Sequence, residues 1–129
     1  MKKILILLVL SSLFLSCNND DDAAPVADAT LNGSWNMETY VAFMDVLPVL
    51  EQGDVTWTFS QYSVTVVNNV HETYPYMPAS GTYDLSLENG ILSIEGTGSY
   101  HYEIEGNQLT MEHVEAEVDA GPIMTFSRN

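Results

Sequence analysis

Residues 83–94 read YDLSLENGILSI, and this stretch decides the fold class. Apolar residues from Tyr83 to Leu87 alternate with polar ones, a period of two that places successive side chains on opposite faces of a β-strand. The dipeptide Asn89-Gly90 follows at once and is a strong signal for a two-residue hairpin turn. The stretch therefore predicts two antiparallel strands that share one apolar face.

The same period continues on both sides of this hairpin, from residue 31 to the end of the chain. Eight short strands are predicted, at 35–41, 55–59, 64–70, 83–88, 91–94, 100–105, 109–112 and 124–128. No segment shows a long helical period, so the fold class is all-β. A meander of this length hides its edges most readily by closing into an eight-stranded antiparallel up-and-down barrel.

Two segments carry finer expectations. In the first strand the alternation places four side chains on one face, namely Trp35, Met37, Thr39 and Val41. Between the first two strands, residues 44–53 break the alternation and contain Pro48 within an apolar stretch. This segment is predicted to form a helical turn or a flap.

Length, charge and cysteine content bound the function. The chain has 129 residues, enough for one domain, with 18 acidic side chains, 3 basic ones and a formal net charge of −15. This balance argues against nucleic acid as a partner, because nucleic-acid binding depends on clustered Lys and Arg. The basic residues are Lys2, Lys3 and Arg128, so the body of the chain has no lysine for a phosphate site or a Schiff base. A single cysteine excludes an intramolecular disulfide and a cysteine-only zinc site.

Residues 1–16 are predicted to be a signal peptide. Lys2 and Lys3 precede an apolar run over residues 4–15, which is shorter than the roughly 20 residues that a membrane-spanning helix needs. The alternative, a buried first strand or helix, fits poorly because a polar Asn/Asp run follows. Residues 17–30 are rich in Asp, Ala and Pro and are predicted to be a disordered tether. The folded domain is predicted over residues 31–129.

Cys17 ends the apolar run directly after Ser16. This arrangement resembles the lipobox of bacterial lipoproteins, although Phe14 and Leu15 depart from its commonest pattern. The resemblance implies that Cys17 is acylated and that this lipid anchor is the protein's only attachment to a membrane.

An acidic run follows the cysteine and consists of Asp20, Asp21 and Asp22. It resembles the surface-export signal of Bacteroidetes lipoproteins. The resemblance implies a lipid anchor in the outer membrane, with the domain at the cell surface or otherwise on the periplasmic face. The alternative is that the acidic run is only a solvated linker.

The two ends of the predicted barrel carry a further resemblance. Gly33 and Trp35 form a Gly-x-Trp sequence at the start of the first strand, and Arg128 closes the last strand. Together with Gly-Thr-Tyr at residues 81–83, they resemble lipocalins and the lipocalin-like lipoproteins of Bacteroidetes. The resemblance covers residues 31–129 and implies a small calycin-like barrel in which Arg128 packs across Trp35 at the closed end. The shorter chain implies shorter strands and a shallower cup than in a full-size lipocalin.

No catalytic or metal-binding pattern is visible in the sequence. There is no Gly-x-Ser-x-Gly sequence, and the histidines lie far apart, at His71, His101 and His113. The acidic residues near His113 alternate between the two faces of a strand, which argues against a shared metal ion. We therefore expect no enzymatic activity, no cofactor and no metal site, and we expect the histidines to be ordinary exposed or rim residues.

Aromatic and large apolar side chains are the remaining candidates for binding. Those predicted to face into the barrel are Trp57, Phe59, Tyr83, Tyr100, Tyr102, Met111 and Phe126. They could line a pocket, or they could fill the interior outright, as side chains this large can do in an eight-stranded barrel. Tyr74 and Tyr76 lie in a proline-containing loop, where tyrosine rings suit contact with a ligand or a partner.

Two functions therefore remain open. In the first, the barrel carries or senses a small apolar or amphipathic ligand, which residues 44–50 gate. In the second, a barrel with a filled core contacts a protein or glycan at the cell surface, as an accessory subunit or inhibitor. An empty cavity beside residues 44–50 favours the first function, and a filled barrel with exposed Tyr74 and Tyr76 favours the second.

Overall fold

The fold is all-β in the part of the chain that the structure describes. The computed structural model describes residues 30–42, 45–46, 49–70, 77–114 and 122–128. They form the strands β1 (Gly33–Ala42), β2 (Asp45–Val46), β3 (Val55–Phe59), β4 (Ser63–Asn68), β5 (Gly81–Glu88), β6 (Ile91–Ile94), β7 (Gly98–Glu105), β8 (Gln108–His113) and β9 (Ile123–Ser127). Within these ranges there is no helix that could cross a membrane.

The strands close into an eight-stranded antiparallel barrel. From β3 to β9 each strand pairs with the next in chain order, β1 pairs with β3, and β9 returns to pair with β1. Strands β1 and β3–β9 therefore form a barrel without free edges, which confirms the predicted fold class.

β2 is an addition to the predicted strands. Its two residues pair with the end of β1, Asp45 with Ala42 and Val46 with Val41. The segment predicted as a helical turn or flap therefore contains a short strand at residues 45–46. Pro48 lies outside the described residues.

The two ends of the barrel carry different connections. The start of β1, the loop 60–62 and the turns 89–90 and 106–107 lie at one end, which we call the closed end. The backbone N–H of Arg128 donates to the carbonyl of Asn107 over 3.0 Å, so the end of the chain also joins the closed end. β1, β4, β6 and β8 finish at the opposite end, which we call the loop end.

The β5–β6 turn has the conformation that Asn89-Gly90 favours. Glu88 pairs with Ile91, so two residues make the turn. Asn89 has a φ of 53° and Gly90 a φ of 79°, both in the left-handed region. A type I′ turn requires positive φ at both central residues, and Asn followed by Gly meets this requirement at low cost.

β1 contains a β-bulge that the sequence pattern does not reveal. Met37 pairs with Phe126 and Thr39 pairs with Thr125, so Glu38 is an extra residue on β1. Because an extra residue exchanges the two faces of a strand, the inward positions shift by one beyond the bulge.

The bulge corrects one prediction about β1. Tyr40 and Ala42 are buried beyond the bulge, while Thr39 is exposed. The expectation that Thr39 and Val41 share the buried face of Trp35 is therefore wrong.

One apolar core joins all eight barrel strands. Twenty of the described side chains form a single buried cluster, with contributions from β1 and from every strand between β3 and β9. Trp35, Trp57, Tyr100 and Phe126 are among its largest fully buried members. Full burial of a large apolar side chain stabilises a fold by about 1.5–3 kcal/mol, so these side chains hold the short strands together.

Candidate functional site

The closed end of the barrel is fastened by Arg128 and Trp35. The guanidinium carbon of Arg128 lies 4.3 Å from the centroid of the Trp35 ring, the contact predicted from the sequence. Nη1 of Arg128 donates to the carbonyls of Thr30 and Asn32, over 2.9 and 3.4 Å. Nε1 of Trp35 donates to the carbonyl of Leu31 over 2.8 Å. These contacts hold the start of β1 and the end of β9 together at the closed end.

Gly33 begins β1 beside this contact. Its φ of 119° lies in a region that residues with a side chain rarely adopt, although a Cβ atom there would meet no neighbour within 4 Å. Backbone conformation, and not space, therefore favours glycine at this position.

Aromatic rings meet inside the barrel around Trp57, which pairs with Trp35 across β1 and β3. The Trp57 ring centroid lies 5.2 Å from that of Phe126, 6.0 Å from that of Phe59 and 6.5 Å from that of Tyr100. All four side chains are buried. The structure thus brings together four of the predicted inward-facing aromatic residues, and Met111 is buried in the same core.

The other candidate residues are at the margin or outside the described ranges. Tyr83 and Tyr102 are half-buried and pack against the edge of the core. The Tyr83 hydroxyl donates to the carbonyl of Ala79 over 2.7 Å. Outside the described residues lie Cys17, Asp20, Asp21, Asp22, His71, Tyr74 and Tyr76.

The two tryptophans differ in their hydrogen bonding. Nε1 of Trp57 is buried and has no acceptor among the described residues, in contrast to the engaged Nε1 of Trp35. A buried donor without an acceptor costs about 1–3 kcal/mol relative to one that is hydrogen-bonded in water. Trp57 therefore presents an unsatisfied N–H group in an otherwise aromatic surrounding.

His113 is buried, contrary to the prediction from the sequence. It is only 6% exposed, although we expected the histidines to be exposed or at the rim, as His101 is. His113 follows Leu109 and Met111 at alternate positions of β8, and all three are buried. This alternation is the signal that identifies its inward direction, because the period of a strand applies to polar residues as well.

His113 packs closely against β7. Its ring meets the Tyr100 ring edge to face, with the centroids 5.2 Å apart. A Cβ atom on Gly98 would lie 2.2 Å from Nε2 of His113, so the ring occupies the space that a side chain at Gly98 would need. Gly98 thus makes the inward position of His113 sterically allowed.

Tyr100 carries a second polar group within the core. Burial raises the pKa of its hydroxyl above the ordinary value of 10.0, while a hydrogen bond with Thr97 acts in the opposite direction. The phenol therefore stays uncharged at neutral pH. The core around Trp57 combines aromatic rings with neutral polar groups.

The core contains no lysine or arginine side chain among the described residues. His113 is the sole polar or charged residue in the buried set, and its ring packs against Tyr100. Arg128 lies at the closed end over Trp35, and Lys2 and Lys3 lie outside the described ranges. An anion placed beside Trp57 would thus have no lysine or arginine counter-charge from the described core.

Three open depressions are lined wholly by described residues. Two of them, of about 360 and 280 Å³, flank a row of serines that pair across β5, β6 and β7, namely Ser86, Ser93 and Ser99. The third, of about 360 Å³, crosses β7 and β8 and includes His101 and Glu112. Across the described ranges, no cluster of three or more His, Cys, Asp or Glu side chains is placed to hold a metal ion.

The chain matches no protein-family model and no curated protein sequence. The fold, a closed eight-stranded antiparallel barrel, is consistent with a calycin-like architecture. The feature of the barrel interior that bears on function is the N–H group of Trp57, a donor that has no acceptor among the described residues and lies among aromatic rings.

Proposed function

We propose that the chain is a cell-envelope lipoprotein whose lipocalin-like barrel binds a small apolar or amphipathic ligand in its interior. It acts by binding and not by catalysis. The observation that carries the proposal is the buried Nε1–H group of Trp57, which lacks an acceptor among the described residues. Ligand sites are mostly apolar with a few polar groups that orient the bound molecule, and the surroundings of Trp57 have this character.

The side chains near this site are of a type that can rearrange. Met37 pairs with Phe126, a ring neighbour of Trp57, and Met111 pairs with Met124 across β8 and β9. All three methionines are buried. Because methionine is unbranched and flexible, such a wall can adapt to a guest more easily than one of branched side chains.

The anchoring part of the proposal rests on the N-terminal sequence. Acylation at Cys17 would hold the domain to the outer membrane, and residues 18–30 would span at most about 40 Å as an extended tether. Asp20, Asp21 and Asp22 would direct the protein to the cell surface. A barrel tethered in this way could capture a ligand next to the membrane.

Uptake of the neutral dye Nile red tests ligand binding. The protein is the chain from residue 17 onward with Cys17→Ala, which lacks both signal peptide and lipid. We expect saturable dye binding that quenches tryptophan fluorescence. Tyr102→Trp adds volume at a half-buried inward position and should weaken binding, whereas Glu103→Trp, on the exposed face of the same strand, should not.

Two results would contradict ligand binding in the barrel. One is the absence of saturable uptake by the unmodified sequence. The other is an equal effect of Tyr102→Trp and Glu103→Trp, since a dye on the outer surface would not distinguish the inward from the outward position.

The density of the core supports a second candidate function. Trp35, Trp57, Tyr100 and Phe126 are buried and occupy much of the interior of a small barrel. With a filled core, the protein would contact a protein or glycan through its outer loops, as an accessory subunit or inhibitor. This alternative predicts no dye uptake, and loss of partner binding when Tyr74 and Tyr76 are replaced by Ala.

A further inference from the structure

The character of the ligand can be inferred from the groups around Trp57. We propose that Nε1 of Trp57 donates a hydrogen bond to an uncharged oxygen of the ligand, so that the barrel accepts neutral amphipathic molecules and discriminates against their anionic counterparts. This inference rests on the proposed function and specifies the class of ligand.

The buried N–H group of Trp57 needs a hydrogen-bond acceptor. The Nε1–H group of Trp57 is buried without a partner among the described residues, and the Trp57 ring packs against Phe126, Phe59 and Tyr100. The phenylalanine rings offer no conventional acceptor, and the Tyr100 hydroxyl is hydrogen-bonded with Thr97. A ligand oxygen at this point would satisfy the donor, while a purely apolar ligand would leave it unsatisfied.

A negative charge on the ligand would be costly to bury beside Trp57. An ionised carboxylate that leaves water needs a counter-charge or several donors, and one indole N–H group does not replace its hydration. Among the described residues, the one lysine or arginine is Arg128, which is bound to Trp35 and to two carbonyls at the closed end. His113, the titratable side chain of the core, packs against the Tyr100 ring. The formal net charge of −15 also repels an approaching anion. A ketone, ester, ether or alcohol oxygen meets the donor without these costs.

The preference for a neutral ligand can be measured with two molecules of similar size. 2-Decanone and decanoate have ten carbons each and differ in the charge of the oxygen-bearing end. The alkyl part of either molecule suits an apolar pocket, so a preference for the ketone reports on the charge of the polar end. We expect decanoate to bind at least about tenfold more weakly than 2-decanone at neutral pH, because its charge would be desolvated without a partner.

The indole N–H signals of the two tryptophans provide the direct test. In ¹⁵N-labelled chain from residue 17 onward with Cys17→Ala, the sequence supplies two such signals, from Trp35 and Trp57. We expect 2-decanone to move the Trp57 signal downfield, as a newly formed hydrogen bond does. The Trp35 signal should stay in place, because its N–H group is already bound to the Leu31 carbonyl at the closed end.

A pair of variants separates the hydrogen bond from packing. Trp57→Phe keeps an aromatic ring but removes the donor, and should reduce 2-decanone affinity about tenfold, the factor that corresponds to one ordinary hydrogen bond. The ratio of the 2-decanone affinity to the decanoate affinity should therefore be smaller in this variant. Phe59→Leu changes the packing beside Trp57 but keeps the donor, so the affinities for 2-decanone and decanoate should change together and their ratio should be retained. If a variant does not fold, the signals of the unsubstituted chain still decide.

The outcomes separate this inference from the function on which it rests. Failure of both probes to bind would overturn the proposed function. Two results would overturn the inference: decanoate binds as tightly as 2-decanone, or 2-decanone binds without moving the Trp57 signal. In either case the proposed ligand binding would stand, but without the hydrogen bond and the selectivity inferred for Trp57. A Trp57 N–H group that shows magnetisation transfer to bound water in the presence of the ketone would also overturn it.

Discussion

At the residue scale, Arg128 and Trp35 make the contact on which the closed end depends. The guanidinium lies over the indole and also donates to the Thr30 and Asn32 carbonyls. A cation over a tryptophan ring contributes about 0.5–2 kcal/mol. These contacts thus join the start of β1 to Arg128, the residue directly after β9.

Replacing Arg128 by Ala should destabilise the fold by about 1–3 kcal/mol, because the cation–π contact and the hydrogen bonds are lost together. Urea unfolding measures the change. Arg128→Lys is the matched control, because it keeps the charge but lacks the planar guanidinium. Its free energy of unfolding should lie between those of the parent and of Arg128→Ala. An Arg128→Ala variant as stable as the parent would show that this contact contributes nothing.

Gly98 is the second residue with a sharp expectation. Gly98→Ala should destabilise the barrel by more than about 2 kcal/mol, since the new methyl group would overlap the His113 ring and φ is +133°. Gly96→Ala is a matched control, because φ is +75° there but no atom lies within 4 Å. Gly96→Ala should therefore lower the free energy of unfolding only through the strain of its positive φ.

A double-mutant cycle assigns the cost at Gly98 to its cause. With His113→Ala as the background, Gly98→Ala should cost markedly less, because the overlapping ring is gone. Equal costs in both backgrounds would show that backbone strain alone disfavours a side chain at position 98.

At the element scale, the bulge in β1 determines which side chains of its second half enter the core. Deletion of Glu38 would remove the extra residue, so Met37, Thr39 and Tyr40 would alternate regularly against β9 and Tyr40 and Ala42 would still face the interior. We therefore expect the deletion variant to fold and to keep most of its stability, as measured by circular dichroism and urea unfolding. Glu38→Ala should also be tolerated, since this side chain is exposed. A deletion variant that unfolds would contradict the assignment of Glu38 as the extra residue of the bulge.

The positions of the eight barrel strands could be predicted because their signals are local. Alternation marks each strand, and Asn89-Gly90 marks a turn whose geometry needs both residue types. The bulge at Glu38 could not be predicted, because it depends on pairing with β9, more than eighty residues away in the chain. The same holds for β2, whose two residues carry no pattern of their own.

The candidate site was predictable only in part. Alternation places Trp57, Tyr100 and Phe126 inside, but it does not show which of their polar atoms find partners. That property depends on three-dimensional contacts, as the difference between Nε1 of Trp57 and Nε1 of Trp35 illustrates. His113 could have been predicted from its alternation with Met111, had its polarity not suggested an exposed position.

At the scale of the whole molecule, the proposal distinguishes the barrel from a lipid anchor at Cys17. Cys17→Ala in the full chain should leave the barrel folded but release it from membranes, because the lipid on Cys17 would be the only strong attachment. Cell fractionation measures this. Asp20→Ala combined with Asp21→Ala and Asp22→Ala is the control, which should keep the protein in the membrane fraction but reduce its accessibility to protease on intact cells. A Cys17→Ala protein that stays with alkaline-washed membranes would contradict the lipoprotein proposal.

The central claim is that the interior of the barrel, and not its surface, holds the ligand. The most direct measurement is of magnetisation transfer between 2-decanone and protein methyl groups in the chain from residue 17 onward with Cys17→Ala. We predict transfer to the buried methionines Met111 and Met124, which pair across β8 and β9. Transfer confined to exposed side chains such as Val49 and Val67 would contradict the claim, because these lie outside the core.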